Sequence, residues 1–373
     1  MLLKMISAGR CSLQPLFAAI TICAVAGCGG PGLFNGSFHA SILNTLSLPA
    51  GYQGSGIAVQ GSLAYISMEA IGSQSGARSL VIVSLETPAG PTTAAPAILS
   101  ATSSGLTSDM GGIVVSGKTA YVPFESASGT NFQVWDISNP HSPFVAGSTS
   151  ISCPAGMYPI QNPALYGNYV YVSCWESEVT TTGAFAIVDV SNPASPMVAG
   201  FVPVTANYQP VSLAIWEQNL YVAATQGGAT SDHALLYSVE DPVSPSLLAT
   251  VSVPHSPQWV AALGSVALTP IYDGAELQVV DFSGPASPQI SSAKLESCHP
   301  MSVAVYQANL AVVTCDSPGG VAEVNVATTA RPTYLGTALS GTVFNYIAAS
   351  GSYLYGVDAG GNFETIGQED SGQ

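Results

Sequence analysis

The sequence predicts an all-β protein, a seven-bladed β-propeller of four-stranded blades whose ring is closed by the N-terminal strand. Three observations predict it. A short apolar phrase recurs seven times, at spacings of 56, 50, 50, 48, 42 and 44 residues. Each copy leads into further β-rich runs divided by turn residues, with no apolar stripe at helical spacing. The last copy lacks a fourth run, and a matching run stands alone near the N-terminus. Units of about 40–50 residues that hold four strands read as propeller blades.

The first run of each unit is Ile57-Ala58-Val59, Ile113-Val114-Val115, Pro163-Ala164-Leu165, Leu213-Ala214-Ile215, Ala261-Ala262-Leu263, Val303-Ala304-Val305 or Ile347-Ala348-Ala349. A small or polar turn follows, such as Gly61-Ser62 or Gly167-Asn168, and then a second run, such as Ala64-Tyr65-Ile66 or Val170-Tyr171-Val172. Tyr65, Tyr121, Tyr171 and Tyr221 recur there and read as packing between blades. The third run, such as Leu80-Val81-Ile82-Val83 or Ala186-Ile187-Val188-Asp189, ends in a turn phrase. That phrase is Ser138-Asn139-Pro140-His141-Ser142-Pro143 in copy two, and it recurs at Ser191 and Ser283. Asp136, Asp189 and Asp281 stand just before it, where Asp accepts backbone N–H bonds. The fourth run follows, as in Met197-Val198-Ala199-Gly200-Phe201.

Copy seven ends after its third run, Phe363–Ile366. Residues 40–49 match the fourth run of copy four, residues 245–254, in register. An N-terminal strand that completes the last blade leaves no blade open and removes the ring's exposed edge.

The third runs and their turns, above all Ala186-Ile187-Val188-Asp189-Val190-Ser191-Asn192-Pro193-Ala194-Ser195-Pro196, resemble the LVIVD repeat. The resemblance spans about residues 40–367 and is strongest in copies two, three and five. It implies an exported bacterial β-propeller, often a lipoprotein or surface protein, and brings no catalytic motif with it.

The N-terminus reads as an address. Lys4 and Arg10 precede an apolar stretch from Leu16 to Ala26, and Val25-Ala26-Gly27-Cys28 follows, with small residues directly before a Cys. That is the pattern of a cleaved lipoprotein signal with Cys28 lipidated. The expected organisation is a signal peptide over 1–27, lipidated Cys28 and a flexible linker over 28–39, the propeller over 40–367 and a tail over 368–373. The expected location is the bacterial cell envelope, at the outer membrane or cell surface, with the membrane touched through the anchor only. Cys153, Cys174, Cys298 and Cys315 remain in the mature chain, and an even number in an exported protein points to disulfides. Cys153 and Cys298 each precede a first strand, and Cys174 and Cys315 each end the second. In an antiparallel hairpin those positions are neighbours, which pairs Cys153 with Cys174 and Cys298 with Cys315.

Charge excludes other functions. The chain has 6 Lys+Arg against 22 Asp+Glu, and only 8 % of its residues are charged. Lys4 and Arg10 leave with the signal, taking the formal charge from −16 to −18. Such a chain does not bind nucleic acid, and it favours cations and basic partners. The loops joining strands two and three hold Glu69, Glu125, Glu176, Glu178, Asp232, Asp273, Asp316 and Asp358, at least one per copy. The loops leading into strand one add Gln53, Asp109, Gln209, His255, Gln258 and His299, with Tyr52, Tyr158 and Tyr208 in one column. By fold analogy these loops share the face that carries a propeller's site.

The ligand-binding candidates are Glu69, Asp109, Glu125, Glu176, Asp273, His255, His299 and Trp259, the last as a ring on which a sugar could stack. No cofactor is required, although an oxygen-rich mouth would suit Ca²⁺ if carboxylates from several blades converged. No catalytic residue is assigned, because nucleophile, zinc-protease and phosphate-loop motifs are absent. The expected function is a non-enzymatic, monomeric binding or scaffold module for a surface or periplasmic protein or glycan. The alternative is a propeller enzyme, a metal-assisted hydrolase, lactonase or lyase, with its site at the channel mouth.

Overall fold

The computed structural model describes residues 40–85, 95–154, 156–176, 182–205, 207–226, 230–254, 256–296, 298–307 and 309–368. The expected signal, Cys28 and the linker, together with Glu178 and His255, lie outside the described residues. Strands fill seven four-stranded antiparallel sheets, six of them meanders of consecutive strands. Blades one to six run over residues 52–103, 114–149, 158–203, 209–254, 261–294 and 300–338. Blade seven takes three strands from residues 344–368 and its outer strand, Ala40–Ser47, from the N-terminus. The pairing runs from Ala40 opposite Gln368 to Ser47 opposite Asn362. Thr45 Oγ1 also donates to Glu364 Oε2 at 2.7 Å across that junction.

Turn chemistry fixes the hairpins. In blade one, Gln60 pairs with Leu63, leaving two residues in the turn between strands one and two. A two-residue hairpin turn needs positive φ, which Gly adopts without a Cβ clash. Gly61, Gly117, Gly167, Gly264 and Gly351 supply it at φ of 58–62°. Blades four and six place Glu217 (φ 53°) and Gln307 (φ 56°) there instead. At the turn between strands three and four, Asp136, Asp189 and Asp281 accept the N–H of Ser138, Ser191 and Ser283 at 2.8–2.9 Å. Their reading as structural aspartates holds.

Both disulfides form as the hairpin argument places them. Cys153 joins Cys174 and Cys298 joins Cys315, with Cα separations of 5.6 and 5.1 Å. Each staples the approach to a first strand onto the end of the second within one blade.

The core lies between blades. Six apolar clusters each span a seam, as where Tyr171, Phe185 and Ile187 of blade three meet Leu213, Val222 and Leu235 of blade four. The recurring tyrosines are buried in these seams. Their hydroxyls clasp the next blade: Tyr171 donates to the Pro242 carbonyl and Tyr221 to the Gly264 carbonyl, each at 2.9 Å.

The seam between blades six and seven is built differently. Ala322 and Val324 belong to the cluster shared with blade five, so strand alternation turns Glu323 towards blade seven. Glu323 is fully buried, neither carboxyl oxygen has a hydrogen-bond partner, and burial pushes its pKa up to about 7. Across the seam stands Gly356, where any Cβ would strike Phe344. Buried Glu364 is its cross-strand neighbour. Tyr306 Oη holds the seam by donating to the Ser352 carbonyl at 3.0 Å.

Candidate functional site

Four of the predicted carboxylates gather on the face that carries the loops between strands two and three. Glu69 is the penultimate residue of its strand, Leu63–Ala70. Glu125 and Glu176 follow the ends of the matching strands in blades two and three, and Asp109 precedes the first strand of blade two. Backbone bonds lock two of them together: the Glu125 N–H donates to the Asp109 carbonyl at 2.9 Å. The Asp109 carboxylate accepts the Ala70 N–H at 2.9 Å and Arg78 Nε at 2.5 Å. Arg78 is 5 % exposed. It also donates to the carbonyls of Gln74 and Gly76 and stands 5.6 Å from the centre of the Tyr52 ring.

The electrostatics of this group are those of crowded, half-desolvated acids. Glu125 is pushed up to about 7, first by burial and then by the charges of Glu69, Asp109 and Glu176. Burial also raises Glu69, against the bond from Gln53 Nε2 to Glu69 Oε1 at 2.7 Å. Tyr158 is raised to about 12 by burial and by Glu125 and Glu176, and it is hydrogen-bonded to Glu176. Tyr346 of blade seven lies far above the usual tyrosine range through burial and the charges of Glu69 and Glu125. Four blades thus feel one common negative field. Gln209 of a fifth fixes it by accepting the Glu176 N–H at 2.9 Å.

The remaining candidates divide. Trp259 of blade five is 8 % exposed, and its ring centre lies 5.3 Å from that of Tyr346. Two blades apart in the ring, this pair meets near the axis, so the Trp259 ring is packed rather than displayed. Asp273 and exposed His299 belong to a second group on blades five and six. There Tyr272 Oη donates to Asp316 Oδ2 at 2.8 Å, and its ring lies 5.0 Å from that of His299. Asp232 and Asp358, read from sequence as loop acids, are strand residues turned to structural use. Asp232 is fully buried and accepts the N–H groups of Gln226 and Ser256 and the Thr225 hydroxyl. Asp358 takes both the main-chain and side-chain N–H of Asn362. Among the described residues, no three of His, Cys, Asp and Glu are grouped closely enough to hold a metal ion.

Sequence reasoning missed Arg78 and Tyr346 as parts of this mouth. Arg78 was discoverable as one of four Lys or Arg residues after residue 27. Tyr346 was not, because its role comes from ring closure, which brings blade seven beside blade one.

The repeat seen in the sequence has an independent match. The description "LVIVD repeat" fits residues 108–150 and 161–203. The chain carries LVIVD repeats. The two matched segments cover blades two and three of the LVIVD-repeat propeller; copy five, read as equally strong, lies outside them. No curated protein matches significantly. Solved structures share the fold. Kuenenia stuttgartiensis hydrazine synthase is similar at 13 % identity and a TM-score of 0.64, over 87 % of this chain and 97 % of that one. A catalytically inactive virginiamycin B lyase from Staphylococcus aureus, solved with quinupristin, is similar at 8 % identity and a TM-score of 0.61, over 88 % and 100 %. BamB from Moraxella catarrhalis is similar at 13 % identity and 0.55, over 90 % and 98 %. At these identities the likeness is one of fold.

Proposed function

We propose that the LVIVD-repeat propeller is a non-enzymatic binding module of the bacterial cell envelope. A lipid on Cys28 carries it, and the acidic mouth takes a basic group of a protein or glycan partner. One observation carries the reading. Glu69, Asp109, Glu125 and Glu176 share a half-buried field that Arg78 offsets at Asp109, by a direct ion pair, and to a smaller extent at Glu69. Crowded carboxylates of this kind favour an incoming cation, which lowers their pKa values and releases protons.

The test is calorimetry with a lysine-rich peptide and with a glucosamine oligomer, at pH 6 and pH 8. Glu125, with its pKa of about 7, is mostly protonated at pH 6 and mostly ionised at pH 8. Binding of the lysine-rich peptide, which stays charged across this range, is therefore tighter at pH 8 and weakens with salt, whereas the glucosamine oligomer loses its own charge towards pH 8 and is compared between variants at pH 6. Glu125→Gln flattens the pH dependence, and Glu125→Gln with Glu176→Gln lowers affinity about tenfold or more, on the order of 1.4 kcal/mol. Failure of both probes, or affinity unchanged in the double variant, moves the site off this face.

A second reading, a lyase acting at the same mouth, draws on Glu125 alone, whose ionisation near neutrality suits a general base. It predicts product formation with a pH midpoint near 7 that disappears in Glu125→Gln.

A further inference from the structure

Large apolar side chains are exposed at one end of the outer strands. Leu43 of blade seven, Ile98 of blade one, Phe144 of blade two, Met197 of blade three, Leu247 of blade four and Ile290 of blade five are each 37–62 % exposed. Every one lies within the first four residues of its fourth strand. In a four-stranded meander that end belongs to the face carrying the turns between strands one and two and between strands three and four. The acidic mouth is on the opposite face. Six neighbouring blades thus raise an apolar rim at one level, although single exposed apolar residues are ordinary.

The chain itself says what covers this rim. Ala40 is the first residue of the closing strand and pairs with Gln368, so the N-terminal end of that strand stands at the same face and level. From Ala40 back to Cys28 are twelve residues, which span at most about 40 Å. Asp136, Asp189, Asp241 and Asp281 outnumber Lys118 and Arg331 on this face, which disfavours anionic headgroups.

We propose that the rim beds on a zwitterionic lipid surface, so that the ring lies flat on the bilayer with its acidic mouth turned away. This rests on the anchor reading of Cys28 and supplies the orientation that reading lacks. Apolar side chains bedded at the headgroup boundary add to the hold of an acyl chain.

Tryptophan reports it. Trp216 ends the first strand of blade four on the rim face and is 43 % exposed, whereas Trp135 and Trp259 are buried and Trp175 stands at the mouth end of blade three. The full chain, made in a lipidating bacterial host, is reconstituted in phosphatidylcholine vesicles with or without brominated acyl chains. Bromine quenches part of the emission, and Trp216→Phe abolishes that loss. Phe144→Ser with Met197→Ser and Leu247→Ser abolishes it too, while the far-UV circular dichroism is unchanged. A chain that floats with the vesicles yet is not quenched overturns the proposal, as does quenching that survives Trp216→Phe. A dimer in solution that the triple variant dissolves also overturns it, by giving the rim to a second copy. If Cys28 carries no acyl mass, the anchor reading falls. The rim is then decided by the same emission measurement, with a hexahistidine tag in place of residues 1–28 tethering the chain to nickel-chelating lipid.

Discussion

Glu323 stands where five other blades carry Ile82, Val134, Ile187, Leu236 and Val279, each paired with the matching residue of its second strand. A carboxyl with no bonding partner in that place is tolerated when protonated and costly when charged. The folded protein holds this proton more tightly than the unfolded chain does. The cost is therefore absent below about pH 4, grows as pH rises, and is constant above about pH 7. From the shift it reaches about 3 kcal/mol. Glu323→Leu is expected to raise the melting temperature clearly at pH 8 and little at pH 4, measured by circular dichroism. An equal rise at both would mean that Glu323 is neutral throughout. Nothing in the local sequence announced this residue, because Val321-Ala322-Glu323-Val324 reads as an ordinary alternating strand with a solvated acid. Its burial is decided by the neighbouring blade.

The turns of the hairpins offer an experiment that the repeat performs on itself. Five of the seven turns between strands one and two use Gly at positive φ, and Glu217 and Gln307 meet the same demand with a side chain. A non-Gly residue in the left-handed region costs about 1–2 kcal/mol, and Gly gives back part of that through unfolded-state entropy. Glu217→Gly and Gln307→Gly are each expected to stabilise the protein by about 0.5–1 kcal/mol, and Gly167→Ala to destabilise it by about 1–2 kcal/mol. Urea unfolding midpoints decide it, and the idea fails if both Gly variants are neutral or worse. Strands, turns and both disulfides were legible because each depends on residues close in sequence: alternation, Gly and Asp at fixed offsets, and Cys at the two ends of a hairpin. The acids were legible only as a set. Which of them converge depends on how blades meet, whereas Asp232 is turned to structural use by partners of its own blade, Thr225 and Gln226, which the run of loop acids did not single out.

At the scale of the ring, one strand decides whether the seven sheets are one object. Removing residues 40–47 would strip the outer strand from blade seven, break the Thr45–Glu364 bond and leave the Asn362–Gln368 strand as an open edge. The expected result is a melting temperature lower by more than about 10 °C, with a tendency to self-associate. An unchanged melting temperature would mean that the other six seams close the ring without it. The seam beside that blade is also the one where Glu323 and Glu364 are buried, so loosening there is expected to precede loosening elsewhere. Hydrogen exchange would register it as lower protection in blades six and seven than in blades two to five.

Thr45 and Glu364 are 319 residues apart in the chain. At ribosomal speeds of about 5–20 residues per second, the closing strand is made roughly 15–60 s before its partner exists. Throughout that interval the growing polypeptide holds a first strand with nowhere to pair and a set of blades that cannot lock. A protein assembled in this order cannot close its ring until its last strand is made, and an unclosed ring is easier to unravel for passage through a narrow pore than a closed one.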